Sequence, residues 1–154
     1  MTRPLPAPGL PGILNGSIPP GIYHLPPTNA PAGVPTDAPV DTPSDVMARA
    51  AEADWRGARL RLTGVHDKAG FLDRCATDLE FPEWFGRNWD ALADCLTDLS
   101  WWGSGKFRGY LLLAEDWETF RKAAPGDART AEAVLHDAVG HWASTDSPLV
   151  VLLG

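Results

Sequence analysis

Two short, uninterrupted apolar runs constrain the fold of this chain more than any other feature. One lies within "GYLLLAED" at residues 109–116, before its two terminal acids, and the other is "LVVLL" at residues 149–153. A strand that is apolar at every position has to be covered on both faces, which is typical of parallel sheets. Helical patterns separate the two runs, and parallel neighbours need crossover connections of that kind. The order of these segments predicts an α/β fold.

A third strand and a preceding helix complete this prediction. The sequence "RLRL" at residues 59–62 alternates charged and apolar side chains, which is the period-two pattern of a strand with one wet face. The residues before it, "DVMARAAEADW", have helical spacing and follow Ser44, which can cap a helix. We predict a small three-stranded parallel sheet covered by helices, and one such domain at residues 44–154.

The N-terminal part of the chain has a different composition. Twelve of the 15 prolines lie in residues 1–45, where each removes a backbone donor and favours extended backbone. We therefore interpret residues 1–43 as a proline-rich extension and expect the first 20 to be dispensable for folding. The short piece "GIYHL" at residues 21–25 could dock on the domain as an extra strand, the alternative being a disordered tail throughout.

Charge and cysteine content restrict the classes of function. The 13 basic and 20 acidic residues give a net charge of −7, which disfavours direct binding of nucleic acid. The two cysteines, Cys75 and Cys95, have no metal or disulfide spacing and fall at apolar positions of helical repeats, so we predict buried free thiols. Without the pattern of a secretory signal or a membrane span, we expect a cytoplasmic protein.

The segment "FPEWFGRNWDALADCLTDLSWW" at residues 81–102 carries the densest combination of chemical groups. Asn88 can cap a helix, and at 100° per residue the positions after it divide into two halves. The apolar half holds Ala91, Leu92, Cys95, Leu96 and Leu99, and the other half holds Asp90, Ala93, Asp94, Thr97 and Asp98. Like charges one turn apart cost a few tenths of a kcal/mol each, so either a ligand offsets that cost or the row is merely a solvated face.

The loop before this helix favours a binding surface. Phe81, Trp84 and Phe85 lie in one tight loop, and we expect at least one of the three rings to be exposed. An aromatic ring beside carboxylates that can lose their water is the composition of an interface for a basic partner.

The residues 82–99, "PEWFGRNWDALADCLTDL", resemble the barstar family of intracellular inhibitors of barnase-type ribonucleases. The shared pattern is proline, acid, two aromatics, Gly, any residue, Asn, a large apolar residue, Asp-Ala-Leu, any residue, and Asp-Cys-Leu-Thr. The order of strands and helices over residues 59–154 also agrees. The resemblance implies a three-stranded parallel sheet covered by helices, and inhibition by a loop and helix laid over the active site of the nuclease.

The resemblance also implies roles for individual residues. Trp84 stands where the family packs an aromatic ring on the enzyme, and Asn88 stands where the loop is held. Asp90 and Asp94 take the positions of acids that meet the basic phosphate-binding cluster, with Asp94 as the main anchor. Thr97 takes the position of a flanking contact.

Two positions depart from the family pattern. Ala93 replaces a tryptophan, and the acid expected on the later helix falls at Gly140, with Asp137 as the nearest acid about one turn away. The resemblance therefore implies an interface whose rim is rebuilt and a partner other than barnase itself.

The resulting prediction is a protein inhibitor of a small basic ribonuclease, a monomer that forms a one-to-one heterodimer with its target. The alternative is a barstar-like module that binds a basic partner other than a ribonuclease. An enzyme using Asp90 and Asp94 as acid and base is disfavoured, because no nucleophile with a neighbouring base accompanies them. The four histidines have no metal spacing, and we predict no cofactor and no metal.

Overall fold

The computed structural model describes residues 3–4, 10–24, 43–81, 85–86, 88–98 and 107–154. Within these ranges the chain forms strands and helices that alternate over most of its length. In chain order they are β1 (Arg3–Pro4), α1 (Leu10–Leu14), β2 (Ile22–His24), α2 (Pro43–Glu52), β3 (Trp55–Arg61), α3 (Lys68–Asp78), α4 (Trp89–Asp98), β4 (Gly109–Glu115), α5 (Trp117–Ala123), α6 (Pro125–Ala143) and β5 (Leu149–Leu153).

All the described strands belong to one parallel sheet in the order β1-β2-β5-β4-β3. The predicted class, α/β with a parallel sheet covered by helices, is confirmed. The three predicted strands are β3, β4 and β5, and the sheet contains two more strands than expected. Ile22–His24 pairs with Val151–Leu153, so part of the "GIYHL" segment forms a strand along one edge of β5.

Strand β3 begins earlier than the alternating pattern at residues 59–62 indicated. It starts at Trp55, which the sequence pattern assigned to the preceding helix, and pairs there with Gly109 of β4. The indole ring of Trp55 lies directly against Gly109, since a Cβ built at that glycine would be 2.5 Å from a ring carbon. Trp55 belongs to the sheet because it pairs with β4 and because Gly109 leaves room for its ring. The local periodicity of the sequence reveals neither of these contacts.

The sheet has two covered faces, which we call the major face and the minor face. The major face is covered by α3, α4, α5 and α6, and its buried cluster includes Leu60, Phe71, Leu96 and Leu135. The minor face is covered by α1 and α2. Its buried cluster consists of Ile13, Ile18, Tyr23, Val46, Ala50, Trp55, Leu111, Leu113, Val150 and Leu152. Neighbouring residues of β4 and β5 point to opposite faces, which explains why both runs are apolar throughout.

The segment before β2 contributes to the minor face. Ile13 is 1% exposed and Ile18 is 6% exposed. The indole nitrogen of Trp55 donates to the backbone oxygen of Leu14 at 3.3 Å, and the hydroxyl of Tyr23 donates to the oxygen of Pro19. The burial of Ile13 and Ile18 in the core argues against the expectation that the first 20 residues are dispensable for folding. The division of the chain at residues 43 and 44 stays a prediction.

Among the described helices, none is both long enough and apolar enough to cross a membrane.

Candidate protein-binding site

Helix α4 begins directly after Asn88, the residue that the sequence predicted as its cap. The side-chain oxygen of Asn88 accepts a hydrogen bond from the backbone nitrogen of Ala91 at 2.7 Å, and its backbone oxygen accepts from Leu92 at 3.0 Å. The side-chain nitrogen of Asn88 also reaches the backbone oxygen of Gly86 at 3.4 Å. Asn88 thus satisfies one of the free donors of the first turn and fixes the end of the loop to the helix.

The two sides of α4 differ sharply in exposure, as its periodicity predicted. Leu92, Cys95 and Leu96 are at most 1% exposed and belong to the core of the major face. The carboxylates lie on the opposite side, where the exposed residues are Asp90, Asp94 and Asp98. The structure therefore combines a firmly packed inner side with an acidic outer side, which we call the acidic row.

Ala93 and Thr97 flank the acidic row and are half-buried. The hydroxyl of Thr97 lies 2.9 Å from the backbone oxygen of Ala93 and 3.2 Å from that of Asp94. Because the hydroxyl proton is directed back to the helix, the oxygen of Thr97 remains as an acceptor for a donor outside the helix. This chemistry suits a cationic or N–H-bearing partner.

The carboxylates of the acidic row have no counterion among the residues that the structure describes. The ion pairs found in those ranges lie elsewhere, between residues of β3, α3, β4, α5 and the loops on either side of α3. Burial raises the pKa of the Cys95 thiol to about 11, and the negative charges of Asp94 and Asp98 contribute to that rise. A basic partner would meet carboxylates that no described cation neutralises.

A cation does lie beside the first turn of α4. The Lys68 ammonium is 5.7 Å from the ring centre of Trp89, and this ring packs against Phe71 with a centroid distance of 5.9 Å. Trp89 is half-buried, so the contact fixes the start of α4 against α3. The sequence patterns did not predict this contact.

The other end of α4 is held by α6. The indole nitrogen of Trp142 donates a hydrogen bond of 2.7 Å to the backbone oxygen of Leu96. The sequence patterns did not predict this role of Trp142. No local signal could have revealed the contact, because the two residues are 46 positions apart.

The loop before α4 is only partly described. Phe85 is 8% exposed, and its ring lies 4.9 Å from that of the half-buried Phe81. Trp84, the predicted aromatic contact, and Arg87 lie outside the described residues. The expectation of an exposed ring in this loop stays a prediction.

Ala93 and Gly140, the two positions that depart from the family pattern, are both at least partly exposed to solvent. Ala93 is half-buried, and Gly140 is exposed with nothing within 4 Å of a Cβ built there. Asp137 is exposed on α6 and lines a cleft with His24 and His136. The idea that Asp137 replaces the acid absent at Gly140 stays a prediction.

The described residues do not contain a metal centre. Within those ranges, His, Cys, Asp and Glu side chains nowhere gather in threes in a way that could hold a metal ion.

A family model described as barstar (barnase inhibitor) matches residues 55–154, which is well over half of the chain. The chain belongs to the barstar family. The match runs from β3 to β5 and includes the whole of α4, whereas α1, β2 and α2 lie before it. Barstar-family members are inhibitors and not enzymes, and membership implies a protein partner. Comparison with curated proteins found no match.

Proposed function

We propose that this barstar-family chain inhibits a small basic ribonuclease by covering its active site with the loop and helix at residues 84–97. The observation that carries the proposal is the acidic row, three exposed carboxylates on a helix whose other side is in the core. A nuclease active site binds phosphates through cationic side chains. An ordered row of carboxylates can take the place of those phosphates.

Each residue has a distinct part in this proposal. Asp94 is the central anchor and Asp90 the second acid, while Trp84 supplies apolar contact area at the edge. Thr97 offers its hydroxyl oxygen to an N–H donor, and Asn88 keeps the loop and helix in register. Ala93 leaves room for a side chain of the partner where the family pattern has a tryptophan.

The charge of the chain supports the choice of a basic partner. A net charge of −7 attracts a cationic protein over a distance set by the Debye length, about 30 Å at 0.01 M salt and about 10 Å at 0.1 M. Association should therefore be fast at low salt and slow as salt rises. We propose one-to-one binding, with no cofactor, no direct contact to nucleic acid and no role for a membrane.

The proposal predicts that Asp94→Ala weakens the complex strongly. The partner would be isolated with the immobilised chain as bait, tested for nuclease activity, and used to measure inhibition and dissociation. We expect a loss of about 2–5 kcal/mol, mostly in dissociation, which is typical of removing one partner from a buried charge pair, barnase–barstar pairs included. Asp98→Ala, near the end of the helix, should cost less than about 1 kcal/mol because rim charges stay hydrated.

A matched control separates local contact from long-range attraction. Glu52→Gln removes one negative charge from the exposed end of α2, on the minor face, and should leave the dissociation rate unchanged. Equal effects of Asp94→Ala and Asp98→Ala, or no effect of either in a folded chain, would refute the proposal. A captured basic protein without nuclease activity, still sensitive to Asp94→Ala, would instead support the barstar-like module that binds another kind of partner.

A further inference from the structure

Near the C-terminal end of α4, a side-chain hydrogen bond joins this helix to α6. Carbonyl groups in the last turn of a helix often accept from side chains, and Leu96 lies in the last turn of α4, which the structure describes as far as Asp98. Its oxygen accepts the 2.7 Å hydrogen bond from the Trp142 indole. The cap of Asn88 at the other end is internal to the loop and helix, so it shapes α4 without tying it to the sheet.

Trp142 is itself fixed by contacts that do not involve α4. Its ring centre lies 4.9 Å from that of Tyr110, at an interplanar angle of 58°, and 5.5 Å from that of His141. Tyr110 belongs to β4, and the half-buried Trp142 packs against the core of the major face. The indole N–H thus has a position set by the sheet and by α6.

We propose that Trp142 is the positioning residue of the acidic row, and this inference rests on the proposed function. Leu96 lies between Asp94 and Thr97 in the sequence, on the same turns of the helix. A hydrogen bond to its carbonyl fixes the rotation of these turns, and with it the direction of both side chains. A partner then binds carboxylates that are already ordered, and the entropy cost of ordering them does not weaken the complex.

The inference can be tested by removing one N–H group without changing the shape of the ring. Benzothienylalanine, in which sulfur replaces the indole nitrogen, would be placed at position 142 of the full chain. We expect dissociation of the basic ribonuclease to become about two- to tenfold faster, the range that the net loss of one hydrogen bond implies. Association should be unchanged, because no charge is altered.

A second readout needs no partner. Amide hydrogen exchange at residues 95–98 of the free chain should become faster relative to exchange in β4. This ratio separates local loosening of α4 from a general loss of stability.

Trp55 provides the matched control. Its indole nitrogen also donates to a backbone oxygen, that of Leu14 at 3.3 Å, but on the minor face. The same replacement at position 55 removes an equivalent bond and should leave both the exchange ratio at residues 95–98 and the dissociation rate unchanged.

The outcomes distinguish the two proposals. Equal dissociation rates for the two variants, or an unchanged exchange ratio for the variant at 142, would overturn the role of Trp142 even if inhibition by the unaltered chain is strong. If the unaltered chain binds no ribonuclease, the proposed function fails. The exchange ratio then still decides whether Trp142 orders α4.

Discussion

The two faces of the sheet are built from different kinds of sequence. The major face is covered by four helices with regular apolar spacing, and nearly all of its buried residues lie within the family match at residues 55–154. The minor face is covered by α1 and α2, which lie before that match. The residues that cover it include Ile13 and Ile18, from a segment rich in proline and without a helical or strand period.

The difference shows that β4 and β5 need apolar cover on both faces of the sheet. The region matched by the family model covers the major face but not the minor face. Leu111, Leu113, Val150 and Leu152 point to the minor face and are at most 2% exposed. Without the preceding segments, these side chains and the free edge of β5 would contact water, which is unfavourable and promotes association. Within the N-terminal segment 10–24, Ile13, Ile18 and Tyr23 therefore help to cover the minor face in this protein.

The most severe way to break the minor face is to remove residues 1–20. This deletion eliminates Ile13, Ile18 and the backbone acceptor of Trp55. We expect a loss of at least about 5 kcal/mol, since truncating one buried isoleucine alone costs about 2–5. Stability of that size is much of what a typical domain possesses, so urea denaturation should show a chain that is largely unfolded without denaturant.

Point variants of the full chain test the contribution of this segment to stability with smaller changes. Ile13→Ala should lower the free energy of unfolding by about 2–5 kcal/mol. Ser17→Ala, in the same segment but exposed, should change it by less than about 0.5 kcal/mol. A truncated chain with an unaltered urea midpoint would show that the minor face does not depend on this segment.

A charge placed inside the major face should have the next largest effect. Cys95 is fully buried among Leu92, Leu96 and other core residues. Cys95→Asp would bury a carboxylate with no cation beside it among the described residues, near the negative Asp94 and Asp98. We expect a loss of at least about 3 kcal/mol, the cost of an unpaired buried charge, measured by urea denaturation.

The control for Cys95→Asp introduces the same charge at an exposed position of a helix that covers the minor face. Ala48→Asp on α2 should be nearly neutral, and Cys95→Ala should be mild because it removes little volume. Rapid reaction of native Cys95 with a thiol reagent at neutral pH would contradict its burial.

The smallest of the three effects is a loss of stability at alkaline pH, which arises from the buried Cys95 thiol in the major face. Burial raises the pKa of Cys95 from its ordinary value of 9.0 to about 11, and burial likewise raises the pKa of Cys75. Between these values the folded chain keeps the Cys95 proton while the unfolded chain loses it. The free energy of unfolding should therefore fall as pH rises from about 9 towards 11.

Cys95→Ala isolates this contribution from other groups that titrate in the same range. The variant should lose less stability than the unaltered chain when urea midpoints at pH 7 and pH 10 are compared. Parallel pH curves for the two proteins would show that Cys95 does not contribute.

Local patterns in the candidate site were predictable because they depend on neighbouring residues. The spacing of Leu92, Cys95 and Leu96 correctly predicted the buried side of α4, and Asn88 correctly predicted its start. The contact of Lys68 with Trp89 and the bond from Trp142 to Leu96 were not predictable in this way. They join separate helices, and their geometry depends on how those helices pack.

The sequence by itself determined the class of fold, the two-sided character of β4 and β5, the orientation of α4 and the family motif. These features follow from short-range periodicity, capping and the pattern of residues 82–99. Only the tertiary structure decided that Trp55 starts a strand, that Ile13 and Ile18 cover the minor face, and that Trp142 holds the end of α4. The physical reason is that burial and hydrogen bonding across the fold depend on complementary surfaces brought together by the sheet. A segment such as residues 10–24 has no hydrophobic period from which its packing position could be predicted.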